Sequence, residues 1–177
     1  MPKLEESFLS LLDPILLRTK LSITSKQLEQ LNHHYSLLTK WNQKFNLTSI
    51  SESKEIIERH FGESLFLATK LPKVNTLVDV GSGAGFPGLP LAVMRPAIAV
   101  TLVESTAKKT VFLKEVTREI SNVRVLCSRI EEVAETFDWA VCRAVATNEI
   151  LPVMKNIASN IALMVSRTTT LDPKDQW

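Results

Sequence analysis

The chain has 177 residues, 45% of them hydrophobic and 23% charged, with a formal net charge of +2. This is enough apolar material for one good core with an appendage, but no apolar run approaches the roughly 20 residues that span a bilayer. The opening MPKLEESFLS, with two glutamates, does not read as a secretion signal, so neither a membrane nor a secreted disulfide protein is expected and a cytoplasmic location is.

Residues 1–72 read as a helical region. Thr24 and Gln27 can form a capping box, after which Leu28, Leu31, Tyr35, Leu38, Asn42 and Phe45 recur at alternating steps of three and four, one face of a helix. Trp41 and Phe45 could stack on a base, but at helical spacing core packing explains them better. Asn46-Leu47-Thr48 has the form of a glycosylation sequon and should be inert without a secretory route. A second helical segment runs from about Ser53 to Lys70, with Ile56, Ile57, Phe61, Leu65 and Phe66 apolar. Leu71-Pro72-Lys73 ends it, because proline disfavours helix in the residue before it.

From Val74 the texture changes to short apolar runs alternating with helical patterns, so residues 73–177 are predicted to form an α/β domain around a parallel sheet. Strands are expected at Thr76 to Val80, Ala99 to Glu104, Val123 to Cys127, Phe137 to Cys142 and Ile161 to Ser166. Pro87 suits a first helical turn, and Pro96 marks where that helix has ended. The two cysteines, Cys127 and Cys142, each end an apolar run and read as buried reduced thiols, with no metal site expected.

Four of the five glycines fall within LVDVGSGAGFPGLPLA, after the first strand. Bare backbone of this kind lets a ligand approach closely. Gly83, Gly85 and Gly88 fit a dinucleotide fingerprint, with Glu104 standing about 20 residues on, where a ribose-binding acid belongs. Counted from Asp79, the same letters give D-x-G-x-G-x-G, which resembles the first motif of S-adenosyl-L-methionine-dependent methyltransferases. The second reading is preferred. A carboxylate before the loop would repel a pyrophosphate and attract the ammonium of adenosylmethionine, and Glu104 can accept ribose hydroxyls under either reading.

Ser105 to Arg129 carries six basic residues (108, 109, 114, 118, 124 and 129) against Glu115 and Glu119, and four acids follow between Ile130 and Asp138. A basic segment beside a cofactor loop suits a polyanionic substrate; a solvated helix face accounts for the charges equally well.

Six blocks, WNQKFNLTSI, RHFGESL, DVGSGAGFPGLPLA, VTLVESTAKKTVFLKEV, SRIEE and CRAVA, occur in order between about Ser25 and Ala146. Together they resemble the bacterial small-subunit rRNA methyltransferase G family (RsmG), also called glucose-inhibited division protein B (GidB). The resemblance implies a Rossmann-like class I SAM-dependent methyltransferase sheet with an N-terminal helical extension, and methyl transfer to N7 of a guanine in 16S rRNA of the small ribosomal subunit. It also implies that Asp79, Gly81, Gly83 and Gly85 form the methionine-side loop, that Glu104 holds the ribose, and that Ile130 and Glu131 lie on the adenine side. Lys108, Lys109 and Arg143 match basic positions facing the RNA, Arg143 as the catalytic-site arginine. For Arg59 and His60 a hydrogen-bonded helix face under the loop is the better account.

The sequence departs from the family pattern at a few letters: Glu104 and Glu63 stand for aspartates, Gly62 for a larger apolar residue, Ala107 for glycine and Val145 for phenylalanine. After the fifth strand only about a dozen residues remain, where the family continues into an antiparallel hairpin, so a shortened C-terminal end and an exposed sheet edge are expected. The chain lacks the Asn/Asp-Pro-Pro-aromatic motif of amino-group methyltransferases, and Cys142 follows Val141 rather than the proline common before a cytosine-C5 nucleophile. Two rival functions are an NAD-dependent oxidoreductase, which would need a substrate domain the remaining residues do not supply, and a non-catalytic ribosome-binding protein on a methyltransferase scaffold.

Overall fold

The computed structural model describes residues 7–143 and 147–165. Ala144 to Ala146 of the CRAVA block, Ser166 and the expected C-terminal end lie outside the described residues. Helix α1 (Phe8–Thr19) is capped by Ser7, whose hydroxyl accepts from the Ser10 N–H. Helix α2 (Ser25–Phe45) starts at the expected capping box, with Thr24 Oγ1 accepting the Gln27 N–H at 3.2 Å and Gln27 Oε1 accepting the Thr24 N–H at 2.9 Å. Its buried face is Leu31, His34 and Leu38. His34 was not expected there, and Phe45, assigned to that face, is 38% exposed.

The segment Ser53–Lys70 is helical but not uniform. A turn of α-helix, α3 (Ser53–Glu55), passes into a π-helical stretch (Ile56–Gly62) and then α4 (Glu63–Lys70), which ends at Leu71 as the following proline requires. A Cβ on Gly62 would lie 3.2 Å from Ile15 Cδ1 of α1, so that isoleucine fills the space a larger residue would take. Arg95 ties this layer to the rest, donating to the carbonyls of Ala68, Leu71 and Pro72 at 2.8–3.1 Å.

Five parallel strands follow: β1 (Thr76–Val80), β2 (Ala99–Glu104), β3 (Val123–Cys127), β4 (Phe137–Arg143) and β5 (Ala158–Met164). The first three keep the expected bounds. β4 runs one residue further, through Arg143, and β5 begins three residues earlier because α7 (Thr147–Ile157) passes into it without a turn. The spatial order is β3-β2-β1-β4-β5. Among the described residues β5 forms an edge, as β3 does on the other side. Helices α1, α2 and α4, the π-helical stretch, α5 (Gly88–Met94) and α6 (Ala107–Val116) share one core on one face of the sheet, and α7 packs on the other. Phe61, Leu65 and Leu31 from the N-terminal helices and Leu77, Leu89 and Phe112 from the α/β part belong to the same cluster. Cys142 is buried as expected; Cys127 is exposed, because among the described residues β3 is an edge strand paired with β2 alone.

Candidate functional site

Side chains alternate along a strand, and that alternation assembles the site. In β1, Leu77 joins the core on the α5 and α6 face while Val78 and Val80 join the core on the other, so Asp79 belongs to the Leu77 face. Val100 and Leu102 place Glu104 on that same face, and Trp139 and Val141 place Arg143 there. All three polar residues stand at or near the carboxyl ends of neighbouring strands. They flank β1, where the strand order reverses and open parallel sheets hold their ligands.

The glycine loop is fastened to the end of β2. The N–H groups of Gly81 and Ser82 both donate to the Val103 carbonyl, at 2.9 and 3.0 Å. Gly83, at φ +57°, donates its N–H to Glu104 Oε2 at 2.9 Å, while Glu104 Oε1 accepts the Thr106 N–H at 2.7 Å. Gly85, at φ +90°, lies in a conformation that side chains rarely adopt, and a Cβ there would sit 3.2 Å from Leu113 Cδ2 and 3.4 Å from His34 Nε2.

Asp79 is wholly buried. Its Oδ2 accepts the Gly88 N–H at 2.8 Å, and its Oδ1 has no hydrogen-bond partner among the described residues. Burial raises its pKa to about 7, against the opposing effect of the Gly88 bond. A Cβ on Gly88 would fall 2.6 Å from Asp79 Oδ2 and 2.4 Å from Leu102 Cδ2, so glycine is required there for close approach. The sequence reading aimed Asp79 at a ligand; the geometry gives one of its oxygens to bracing the start of α5. That bond also puts a carboxylate where the dinucleotide fingerprint would place a pyrophosphate.

Phe86 carries the loop into a stack of rings. Its ring lies between His34 (centroids 4.5 Å apart, 21° between planes) and His60 (4.8 Å, 19°). His34 Nε2 meets the Ala84 carbonyl at 2.8 Å, and an imidazole nitrogen facing a carbonyl must donate. Burial lowers both histidines to about 3, with the Arg143 charge a further cause at His60, so both are neutral near pH 7. Arg143 Nη1 donates to the Arg59 carbonyl at 2.9 Å and lies 3.4 Å from Glu63 Oε2, while Nη2 bonds His60 Nδ1. The expected hydrogen-bonded face at Arg59 and His60 is therefore present, and it holds Arg143.

The remaining sequence candidates lie around this centre. Ile130 and Glu131 form a 3₁₀ turn after β3; Ile130 buries its side chain in the core on the far face, and Glu131 is exposed. Lys108 and Lys109 open α6, directly after β2, with Lys108 Nζ 4.9 Å over the Phe45 ring. Trp41 packs edge-on against Phe112 at 5.6 Å, as core packing required. Arg124 is paired with Glu135 at 2.6 Å, so part of the basic segment is neutralised by the acids that follow it. A cavity of about 1040 Å³ lies away from the loop, between α1, α2 and the connection after α2, lined in part by Phe8, Tyr35, Asn42 and Lys54. Sequence reasoning missed His34, Phe86 and Arg95.

A parallel sheet in this order, with a glycine loop after β1 and an acid closing β2, defines the class I methyltransferase fold. Two solved structures share it: coclaurine N-methyltransferase bound to N-methylheliamine and SAH (TM-score 0.54, 19% identity, 90% of this chain and 51% of that one), and magnesium protoporphyrin IX methyltransferase from Synechocystis PCC 6803 with bound SAM (TM-score 0.54, 14% identity, 73% and 74%). The family model described as GidB, rRNA small subunit methyltransferase G, matches residues 27–169, and the chain belongs to that family. Relatives named ribosomal RNA small subunit methyltransferase G include those of Clostridium perfringens strain 13 (45% identity; 65% of this chain, 52% of the relative) and Clostridium beijerinckii (41%; 81% and 66%). That of Bacillus subtilis strain 168 is 38% identical over 74% of this chain and 59% of its own length. The chain spans about half the length of the first of these relatives.

Proposed function

We propose that the chain is an S-adenosyl-L-methionine-dependent methyltransferase that acts in the cytoplasm on 16S rRNA of the small ribosomal subunit, transferring a methyl group to N7 of a guanine. The observation that carries this reading is the convergence of the glycine loop, Glu104 and Arg143 on one end of the sheet in a chain of this family.

The residues fit the cofactor. Asp79 Oδ1 is a buried acceptor without a partner among the described residues, which an ammonium would satisfy. Gly81 and Gly83 offer main chain uncovered by side chains, Gly85 packs under Leu113 and His34 and shapes the turn, and Glu104 keeps lone pairs beyond its two N–H contacts for ribose hydroxyls. Ile130, through its backbone, and Glu131 border the adenine side. When bound, adenosylmethionine supplies an electrophilic methyl group on a sulfonium.

Guanine N7 is an unprotonated acceptor, so no side chain has to remove a proton from it. The two buried histidines agree with this: each is neutral, and His60 is engaged at both ring nitrogens. Catalysis then rests on placement, and Arg143 orients the guanine or its phosphate through a planar fork that lysine cannot reproduce. Lys108 and Lys109 meet RNA phosphates.

Small subunits incubated with the chain and labelled adenosylmethionine, then digested to nucleosides for mass spectrometry, should yield 7-methylguanosine. The rate should show no general-base dependence between about pH 6 and 9. Label in 5-methylcytidine or N6-methyladenosine would overturn the reading, and subunit binding without turnover would return the chain to a non-catalytic role.

A further inference from the structure

Two sequence blocks lie outside the glycine loop and Glu104: NLTS after α2, and RHFGES, which runs from the end of the π-helical stretch into α4. Both end at Arg143. A guanidinium donates only, so His60 Nδ1 must accept from Nη2, which places the imidazole proton on Nε2. That proton is donated to Thr48 Oγ1 at 2.8 Å. Thr48 is itself fixed, because its N–H donates to Asn42 Oδ1 at 2.9 Å and its hydroxyl oxygen accepts the Ile50 N–H at 3.2 Å, while Asn42 Nδ2 donates to the Ile50 carbonyl at 3.3 Å. A chain of hydrogen bonds thus runs from α2 through Thr48 and His60 to Arg143.

The other side of the guanidinium is held by the Arg59 carbonyl and by Glu63, from the same helical segment that carries His60. Below it lies the Phe86 ring, with Arg143 Cζ 5.9 Å from the centroid and the His60 ring stacked on the same aromatic. Arg143 is therefore gripped at both Nη atoms and from beneath, and its side chain is only 17% exposed. An arginine meant only for surface charge needs none of this.

We propose that His60 is the positioning residue for Arg143: as a neutral Nε2–H imidazole locked by Thr48, it presents Nδ1 as the acceptor that sets the plane of the guanidinium. This rests on the reading of Arg143 as the group that orients the guanine. His60 itself touches neither cofactor nor substrate in this role. An extended network of this kind is directional, since each donor has one acceptor and reversal of the imidazole tautomer would leave Nη2 facing another N–H.

The test uses His60→Asn and His60→Gln. An asparagine amide falls near the Nδ1 position and can still accept from Arg143; a glutamine amide reaches toward the Nε2 position and Thr48 instead. His60→Gln should lower kcat roughly ten- to hundredfold with cofactor Kd within about threefold, the effect of a misplaced orienting group, while His60→Asn recovers most of the turnover. Thr48→Val, which keeps His60 but removes the acceptor of its Nε2–H, should lower kcat in the same direction. Independently of activity, nitrogen-15 NMR of the unmodified chain at pH 7 should show His60 as the Nε2–H tautomer. An Nδ1–H tautomer, or equal losses in the Asn and Gln variants that track their thermal midpoints, would overturn the positioning role. If the tautomer is as stated but the unmodified chain does not methylate guanine, the functional reading fails instead.

Discussion

Burial acts on Asp79 and on the two histidines in opposite directions. It lifts Asp79 from 3.8 to about 7 and depresses His34 and His60 from 6.5 to about 3. The folded chain holds the Asp79 proton more tightly than the unfolded chain, so that stabilisation is fully present below 3.8 and is lost as pH rises toward 7. The histidines have depressed values, so their stabilisation is present above 6.5 and is lost as pH falls toward 3. Two such groups outweigh one, and Tm should fall on acidification from pH 6.5 to 4. Asp79→Asn keeps an acceptor for Gly88 and removes the opposing titration, so its Tm should fall more steeply over that range and lie a few degrees higher at pH 7.5. A shallower profile in the variant would refute this. The same substitution should weaken adenosylmethionine binding about tenfold or more, which is about 1.4 kcal/mol, measurable by calorimetry. The importance of Asp79 was legible in its place before the loop, but not that one of its oxygens would brace the Gly88 N–H nine residues on. The Ala84 carbonyl that holds His34 lies 50 residues away in sequence, and no local pattern announces it.

At the level of elements, the helices were legible in extent but not in kind. The segment from Ser53 to Lys70 carries a helical apolar pattern, yet Ile56, Ile57, Phe61 and Gly62 are all buried in a π-helical stretch that the pattern did not reveal. Ile56 and Phe61, five apart, are the one trace of its wider turn in the letters. That stretch brings the Arg59 carbonyl and the His60 ring to Arg143 together. Helix α6 makes a different point. Its first turn holds Lys108 and Lys109 and no acid, although the positive end of a helix disfavours cations by about 0.3–1 kcal/mol each. Local helix energetics therefore do not explain these lysines, whereas the proposed phosphate binding would. Replacing both with alanine should flatten the salt dependence of RNA binding by about two units in the log–log slope and leave cofactor affinity unchanged. Filter binding across a salt series reads this directly, and an unaltered slope would make the pair an ordinary solvated face.

For the whole molecule, the alternation of strand and helix was enough to predict a parallel sheet and the bounds of its first three strands, but not its order. Nothing in the apolar runs says that β4 lies beside β1, and the tie that fastens them is made of polar groups: Asp138 Oδ2 accepts the N–H groups of Asn75 and Thr76, and Thr76 Oγ1 accepts the Asp138 N–H. Thr76 and Asp138 are 62 residues apart. The order β3-β2-β1-β4-β5 therefore has a consequence in time. Residues 76–127 hold three strands in which each new strand docks on its predecessor, and pairing between neighbours in sequence closes short loops and forms early. β4 must return past all of them to the free side of β1, a late step with a larger loop to close. Pulse-labelled hydrogen exchange during refolding should show protection in β1 to β3 before β4 and β5; simultaneous protection would argue against that sequence. A chain leaving the ribosome would then complete its glycine loop and Glu104 first and acquire Arg143 last, so a nascent chain could hold a small ligand before it could orient a large one.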